Sequence, residues 1–421
     1  MKVLWITNIL FPEVLAKLSS DGELKSSGGW MLGSAKALLE HPEITLYVAS
    51  VSSKVSELTR IDADQVCYYV IPYGKGNLKE NPEYRKYWLQ VNAEIGPDIV
   101  HIHGTEFSHG YEYMRACGVD NVVVSIQGLK SAISRFYYSG MSKCDIYRNI
   151  TPRDVLKGSI LSEQRSFERS AEYEEAILKA AKHIIGRTSW DRDMVTRANP
   201  DVEYHFCNET LRDEFYCGSM WDYDKCSKHT IFLSQAAYPI KGLHQVLKAM
   251  PMILKYYPDT TIRIAGTDIT RCNTLKELLH FTGYGLFIRR LIKNRGLDGK
   301  VCFLGGLNAQ EMKQEYLNSN VFICPSSIEN SPNSLGEAQI LGVPCVASKV
   351  GGIPDMMEGN EGNLYSFENV DMLADKVCKI FEREHNQIIM RVRAMERHDP
   401  KINCSTLLNI YASIINKVNE I

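Results

Sequence analysis

Short apolar runs alternate with longer amphipathic stretches over the first half of the chain. The runs are rich in β-branched residues and read KVLWITNI at 2–9, ITLYVAS at 44–50, DIVHIH at 98–103 and NVVVSIQG at 121–128. Buried parallel strands connected by helices give this rhythm, because helices cover both faces of such a sheet. The first half therefore predicts a doubly wound parallel sheet.

A second series of the same kind begins near residue 229. Its runs are HTIFLSQA at 229–236, TTIRIAG at 260–266, KVCFLGG at 300–306, NVFICPS at 320–326 and PCVASKVGG at 344–352. Between the first two runs, the stretch from Gly242 to Lys255 carries apolar residues at three- and four-residue steps, as an amphipathic helix does. The fold class is therefore α/β, with two doubly wound domains.

The boundary between the two domains is expected near 206–228, where no periodicity is sustained. We assign residues 1–206 to the first domain and residues 207–399 to the second. The final stretch, about 400–421, has apolar residues at helical spacing and is expected to pack back on the first domain. Residues 130–180 interrupt the first series with a polar insert and a long charged helix.

Composition narrows the class of protein. The 421 residues are 44% apolar and 23% charged, which suits a globular chain that buries substantial cores. The formal charge of −2 creates no global field for nucleic acid, so any anionic ligand must be held by local groups. Oligomeric state does not follow from these values.

Cysteine usage and hydropathy bear on localisation. The 12 cysteines are scattered without metal-ligand spacing, and neither a signal-peptide pattern nor a membrane-length apolar run occurs, which favours the cytoplasm. The basic, amphipathic segment GLFIRRLIKNRGL at 285–297 predicts either a helix packed on the second domain or one that touches the inner face of the cell membrane.

The segment ENSPNSLGE at 329–337 carries the most specific chemistry. Ser331 is expected to cap a helix that has Pro332 at its first position and runs to about Leu341. The free N–H groups of Asn333, Ser334 and Leu335 would then point out of the sheet's carboxyl edge, where a helix dipole favours an anion. This predicts a seat for a diphosphate.

Two glutamates flank that seat. Glu329 lies just before the helix and Glu337 lies inside it, and carboxylates accept strong hydrogen bonds from sugar and ribose hydroxyls. Spacing alone is equally consistent with a capped helix that carries two solvated glutamates.

Two further features fall at strand ends. Lys241 in YPIKGL follows the first strand of the second series, where an ammonium could neutralise a departing diphosphate, although a surface lysine fits as well. Gly28 and Gly29 open a helix after the first strand of the chain, where a phosphate could approach the backbone or an ordinary turn could form. No G-x-G-x-x-G follows that strand, which weakens a nicotinamide or flavin hypothesis.

Together these pieces resemble the retaining glycosyltransferases of family four, over nearly the whole chain. The similarity is greatest to bacterial capsule and surface-polysaccharide members. The segments that carry the resemblance are KVLWITNILFP with GGW at 28–30, PDIVHIHG at 97–104, KHIIGRTSWDRD at 182–193, YPIKGL at 238–243, VCFLGGLNAQEM at 301–312 and ENSPNSLGEAQILGVPCVASKVGGIPD at 329–355. The last is similar to the family's E-x7-E signature. The resemblance implies two facing Rossmann-like domains, the GT-B fold.

The resemblance also implies residue roles on the donor side. Glu329 would bind the donor hexose, Glu337 the ribose and Lys241 the diphosphate of a UDP- or GDP-linked sugar. The residues that would contact donor sugar or phosphate through their backbone are Gly28, Gly29, Asn333, Ser334 and Leu335. No metal ion and no further cofactor would be required, because side chain and backbone supply the positive groups.

Two positions depart from the family pattern. Ala236 stands where an arginine commonly precedes the lysine, and Arg187 or another basic residue would replace that charge. Gln127 stands where many members have a histidine, and it cannot act as a general base. His103 is the alternative catalytic candidate on the first sheet, with a packed strand-end histidine as the other interpretation.

Acceptor binding is predicted from the polar insert and its neighbourhood. The candidate residues are Gln127, Arg135, Tyr137 and Arg148, which would contact a glycan or a lipid-linked oligosaccharide. The sequence thus predicts transfer of a hexose to such an acceptor in surface-polysaccharide synthesis. A nucleotide-sugar epimerase on the same scaffold and a non-catalytic sugar-binding protein stay open as alternatives.

Overall fold

A computed structural model describes residues 1–18, 29–63, 65–73, 82–382 and 387–420, with residues 29 and 30 described by their backbone alone. Within these ranges the chain forms two compact units. The first contains residues 1–131, 168–211 and 398–421, and the second contains residues 132–167 and 212–397.

The first unit contains a mostly parallel sheet. Its strands are β1 Lys2–Thr7, β2 Thr45–Ser52, β3 Thr59–Ala63, β4 Val66–Pro72, β5 Ile99–His103, β6 Val122–Ser125, β7 His183–Gly186 and β8 Glu203–Phe206. They lie in the order β3-β4-β2-β1-β5-β6-β7-β8, and β3 pairs antiparallel with β4 while the other pairs are parallel. The order in which successive strands are added to the sheet reverses between β1 and β5.

The second unit contains a fully parallel sheet. Its strands are β9 Ser227–Leu233, β10 Thr261–Ile264, β11 Val301–Phe303, β12 Ser319–Cys324, β13 Cys345–Ser348 and β14 Leu364–Tyr365. They lie in the order β11-β10-β9-β12-β13-β14, which is the doubly wound order of Rossmann folds. The order in which successive strands are added reverses between β9 and β12. The two predicted doubly wound sheets are thereby confirmed.

Helices connect these strands. In chain order they are α1 Pro12–Leu18, α2 Gly29–Leu39, α3 Arg85–Ile95, α4 Ser108–Cys117, α5 Lys130–Phe136, α6 Lys143–Arg148, α7 Pro152–Lys157, α8 Ile160–Ala180, α9 Ser189–Ala198, α10 Leu243–Tyr256, α11 Leu275–His280, α12 Gly283–Asn294, α13 Ala309–Asn318, α14 Asn333–Leu341, α15 Ile353–Met356, α16 Val370–Glu382, α17 Ile388–Arg397 and α18 Pro400–Asn419. Short 3₁₀ turns occur at Pro82–Tyr84, Asp213–Phe215, Pro239–Lys241 and Glu361–Asn363.

The polar insert differs from its expected domain. Residues 132–167 belong to the second unit, although the sequence assigns them to the first domain. Tertiary hydrogen bonds hold them there: His244 Nε2 lies 2.7 Å from the carbonyl oxygen of Ser139, and Thr151 Oγ1 donates to the carbonyl oxygen of Phe281 at 2.8 Å. Such contacts join distant segments and leave no local pattern in the sequence.

The last helix, α18, packs on the first sheet. The Tyr411 hydroxyl is buried, accepts a hydrogen bond from Trp5 Nε1 at 3.0 Å and lies 2.6 Å from His101 Nδ1. Both partners sit on central strands, β1 and β5. The end of the chain therefore completes the core of the first unit.

The basic segment near 285–297 forms most of α12. Its apolar face is buried inside the second unit, where Tyr284 and Ile288 are covered by neighbouring helices, while Arg289 and Arg290 are exposed. Nowhere in the described ranges does a helix combine the length and apolarity that crossing a bilayer requires. All 12 cysteines are free thiols.

Candidate active site

Lys241 and Glu329 meet at the carboxyl edge of the second sheet. Lys241 ends the 3₁₀ turn that follows β9, and Glu329 lies in the loop that follows β12. Because β9 and β12 are neighbours at the point where the strand order reverses, their following loops lie side by side. Lys241 Nζ lies 2.5 Å from Glu329 Oε1, which also accepts a hydrogen bond from Ser326 Oγ at 2.9 Å.

The ion pair determines the charge of Lys241. Burial lowers the pKa of the ammonium, but the Glu329 carboxylate outweighs this effect through its charge and its hydrogen bond, so that the net pKa is raised. Lys241 therefore stays positively charged at every physiological pH. A permanent cation at this edge suits the binding of an anion.

Two glycines allow these loops to approach each other. Gly242 has φ 71°, and a Cβ at that position would collide with the carbonyl oxygen of Pro325. Gly351 has φ 51°, and its Cβ would collide with the carbonyl oxygen of Glu329. Only glycine fits both the left-handed backbone and the close contact, so these positions hold Lys241 and Glu329 in place.

The helix after Glu329 begins one residue later than the sequence predicts. Pro332, at φ −70° and ψ 114°, is the N-cap of α14, and the expected cap, Ser331, instead directs its hydroxyl to Met356 Sδ at 3.6 Å. The extended ψ of Pro332 keeps it outside the helix although its φ is compatible with one. Gly342, at φ 80°, ends the helix as expected.

The first turn of α14 offers fewer donors than predicted. The N–H of Leu335 already donates to the carbonyl oxygen of Pro332 at 2.9 Å, because the turn is tightened. The N–H groups of Asn333 and Ser334 have no acceptor within the part of the chain that the structure describes. The predicted anion seat therefore has two backbone donors rather than three.

Glu337 is buried and paired. Arg212 Nε lies 2.7 Å from Glu337 Oε1, and Arg212 Nη2 donates to Oε2 at 2.8 Å, which is the two-pronged geometry of arginine and carboxylate. Burial raises the pKa of Glu337, and the bonds from Arg212 offset only part of this rise. Tyr316 donates its hydroxyl to the Ser334 carbonyl oxygen at 2.9 Å and thus anchors the same turn.

Arg212 is the main residue of this edge that sequence reasoning missed. It lies in the aperiodic stretch taken as the domain boundary, where it is a lone arginine with no periodic neighbours. Its separation of 125 residues from Glu337 leaves no local signal. Ser326, the last residue of the run NVFICPS, could have been noticed as a hydroxyl at a strand end.

Two pockets adjoin this edge within the second unit. The larger has a volume of about 560 Å³ and is lined by loops that follow β9, β10 and β11, including Ala237, Thr267 and Gly305. The smaller has a volume of about 390 Å³, and its lining includes Tyr137 and Tyr238. Ala237 lines both pockets, which are therefore adjacent.

The predicted acceptor residues of the insert are placed differently from one another. Tyr137 is buried in the wall of the smaller pocket, where its hydroxyl donates to Glu163 Oε2 at 2.8 Å. Arg135 and Arg148 are exposed at the ends of α5 and α6. All three belong to the second unit, so only Gln127 of the predicted acceptor set lies in the first.

His103 and Gln127 lie at the carboxyl edge of the first sheet. His103 is buried at the end of β5 and stacked on His101 with ring centroids 3.9 Å apart, so the two rings share one face of the sheet. Burial, with His101 and Arg187, lowers the pKa of His103 well below its ordinary value, so the ring is neutral. Gln127 Nε2 is buried without a hydrogen-bond partner among the described residues.

Glu106 is a further group at this edge that the sequence did not indicate. Its Oε1 accepts a hydrogen bond from the Gly128 N–H at 3.3 Å, and its Oε2 is buried without a bonded partner in the described ranges. Burial raises the pKa of Glu106 to about 7, and Lys130 offsets part of the rise. A carboxyl that titrates near neutral pH can donate or accept a proton.

Arg187, Ala236 and Gly29 are the other predicted positions that the structure describes. Arg187 lies in the first unit, where its buried guanidinium pairs with Glu209, and Ala236 is buried after β9. Gly29 is the first residue of α2. Gly28 lies outside the described residues.

Comparisons with known proteins bear on the second unit above all. Residues 223–397 match the family model described as glycosyl transferases group 1. A D-inositol 3-phosphate glycosyltransferase from Corynebacterium urealyticum is 25% identical over 42% of this chain and 41% of its own length. An N-acetyl-alpha-D-glucosaminyl L-malate synthase from Bacillus anthracis is 30% identical over 52% of this chain and 55% of its own length. The chain thus spans about half the length of these relatives.

Solved structures extend the similarity to the whole chain. A sucrose-phosphate synthase from Thermosynechococcus elongatus has a TM-score of 0.68 at 14% identity and covers 99% of both chains. HepE from Anabaena, solved in complex with UDP, has a TM-score of 0.64 at 15% identity over 98% of this chain and 100% of its own. The chain therefore has the GT-B fold, and residues 223–397, which lie in its second unit, match the glycosyl transferases group 1 family.

Proposed function

We propose that the protein transfers a hexose from a nucleotide-diphosphate sugar to a hydroxyl group of a glycan or lipid-linked acceptor. The observation that carries this proposal is the Lys241–Glu329 ion pair at the strand-order reversal of the second sheet, beside the amino end of α14. This arrangement places a permanent cation, a carboxylate and backbone donors within one loop cluster. A diphosphate and a sugar need these groups.

The diphosphate would bind at the start of α14. The N–H groups of Asn333 and Ser334 supply hydrogen bonds, and the partial positive charge of the helix end adds to that of Lys241. Both effects strengthen as negative charge accumulates on the departing oxygen, so they stabilise the transition state more than the bound substrate. This set of groups makes a metal ion unnecessary for the departure.

Glu329 would orient the sugar. One of its oxygens is held by Lys241 and Ser326, which leaves the other oxygen to accept bonds from sugar hydroxyls. Neutralisation by Lys241 also lowers the cost of holding this carboxylate close to a diphosphate. The pair therefore joins sugar binding to leaving-group stabilisation.

The nucleoside would occupy the larger pocket. Oε1 of Glu337 accepts one bond from Arg212, and Oε2 accepts one from Arg212 and a longer one from the Tyr316 hydroxyl at 3.5 Å, so Oε1 is the oxygen with a lone pair for a ribose hydroxyl. The pocket of about 560 Å³ lies at the same edge and is within the size range of small-molecule sites. HepE was solved with UDP, and two relatives 26% identical to this chain are GDP-mannose-dependent, so the donor would be linked to UDP or GDP.

The acceptor would attack from the face that the diphosphate leaves, which retains the anomeric configuration. Its hydroxyl proton would pass to the departing diphosphate oxygen. The names of the relatives, which mention inositol phosphate and malate, support a hydroxyl compound as acceptor. We propose that the transfer takes place in the cytoplasm and serves surface-polysaccharide synthesis.

The test follows release of nucleoside diphosphate from a panel of nucleotide sugars, with the anomeric product identified by NMR. We expect Lys241→Met to lower turnover roughly 10²- to 10³-fold, as loss of one transition-state donor does. Lys248→Met on α10 is the matched control, because Lys248 is a half-buried lysine of the same unit that lies outside the site. Thermal melting of each variant separates loss of activity from loss of fold.

Three outcomes would contradict the proposal. Wild-type turnover in Lys241→Met would remove the lysine from the mechanism. Interconversion of nucleotide sugars without release of nucleoside diphosphate would show an epimerase. Binding without either reaction would show a sugar-binding protein.

A further inference from the structure

Three potential metal ligands lie together on one face of the first sheet. They are His183 at the amino end of β7, and Glu203 and His205 on the adjacent strand β8; we call them the His183 cluster. In the parallel register His183 faces Glu203, and alternate residues of β8 share a face, so His205 points the same way. This cluster lies at the opposite end of β7 from Arg187, which follows the carboxyl end of the strand.

The ligand atoms have the spacing of a coordination site. His183 Nδ1 lies 3.2 Å from His205 Nε2 and 3.5 Å from Glu203 Oε2. In a tetrahedral zinc site with bonds of about 2.0–2.2 Å, neighbouring ligand atoms lie about 3.3–3.5 Å apart. Over the ranges that the structure describes, no other group of three such side chains brings its ligand atoms within 4.8 Å of one another.

We propose that His183, Glu203 and His205 bind one Zn²⁺ ion. Two imidazole nitrogens and one carboxylate oxygen form a donor set that zinc prefers, and three protein ligands leave one position for water. Burial of His183 holds one ligand rigid within the sheet, while Glu203 and His205 are only partly buried and leave a path for the ion. The proposal concerns the first unit alone and does not depend on the transfer reaction.

Lys417 competes with the metal. Its Nζ lies 2.5 Å from Glu203 Oε2, so in the absence of zinc the last turn of α18 neutralises the carboxylate. The zinc ion would take over that oxygen and release the lysine. Removal of the ammonium should therefore strengthen zinc binding, which a purely structural histidine pair does not predict.

The experiment titrates chelator-treated protein with Zn²⁺ in a calorimeter and repeats the titration with Co²⁺ followed by absorption. We expect one equivalent bound, and visible bands of tetrahedral cobalt without a sulfur charge-transfer band. Glu203→Gln and His205→Asn should each weaken binding at least about tenfold, because each removes a direct ligand. Lys417→Met should tighten it about threefold to fivefold, the equivalent of one exposed ion pair.

His41→Asn is the matched control, because His41 is a partly exposed histidine of the same unit that lies 3.5 Å from Glu43 and has no third ligand among the described residues. Its zinc affinity should equal that of the wild type. Glu203 is exposed enough for its glutamine variant to fold even if the His205 variant does not. Absence of a bound equivalent, unchanged affinity in Glu203→Gln, or a sulfur charge-transfer band from the free cysteines would overturn the proposal.

Discussion

The Arg212–Glu337 pair offers a test in which stability and activity separate. Arg212→Met removes the two hydrogen bonds to a carboxylate whose side chain is 5% exposed and leaves that charge buried without its partner. Loss of one partner of a fully buried pair costs about 3–5 kcal/mol. Because the Arg212 side chain is 27% exposed and water reaches that side, we expect a loss of about 2–3 kcal/mol at pH 8.

The loss should depend on pH. Burial already raises the pKa of Glu337, and removal of Arg212 raises it further. The Glu337 carboxyl of the folded variant then binds its proton more tightly than the same carboxyl in the unfolded chain. The stabilisation by protonation is therefore complete below the unfolded-state pKa of about 4.3 and is lost as pH rises through the folded-state pKa. The destabilisation should therefore shrink between pH 8 and pH 5.

Urea unfolding at pH 5 and pH 8 measures both values. The double variant Arg212→Met/Glu337→Gln removes the buried charge and should recover at least half of the lost stability at pH 8. It should not recover activity, and its KM for the donor should stay raised, because a glutamine accepts fewer bonds from ribose hydroxyls. Equal losses at the two pH values, or no recovery in the double variant, would refute this account of the pair.

Two further substitutions test how the loops and the core are held. Gly242→Ala should destabilise the protein by about 3 kcal/mol in urea unfolding, because the φ of 71° and the Pro325 carbonyl oxygen both exclude a Cβ. The control is Gly306→Ala, which should cost less than about 1 kcal/mol because no atom lies within 4 Å of the added Cβ. Tyr411→Phe should lower the free energy of unfolding by about 1–3 kcal/mol, because it leaves the buried Trp5 indole N–H without its acceptor; an unchanged melting temperature would contradict that role.

Local sequence patterns predicted the larger elements. Each of the nine apolar runs overlaps a strand, and the periodic stretches after Gly242 and at the end of the chain form α10 and α18. The strands β3, β4, β7, β8 and β14 are not among those predicted from these runs. The cap of α14 was displaced by one residue, because serine and proline both fit the start of a helix.

The sequence by itself also placed Lys241 and Glu329 at strand ends, and the order of strands in a doubly wound sheet then brought them together. Only the tertiary structure decided that Arg212 holds Glu337 and that residues 132–167 join the second unit. It alone revealed the buried Oε2 of Glu106 and the His183 cluster. Hydrophobic periodicity reflects the local backbone geometry of neighbouring residues. These pairings instead join segments that are distant along the chain, and they depend on how the elements pack.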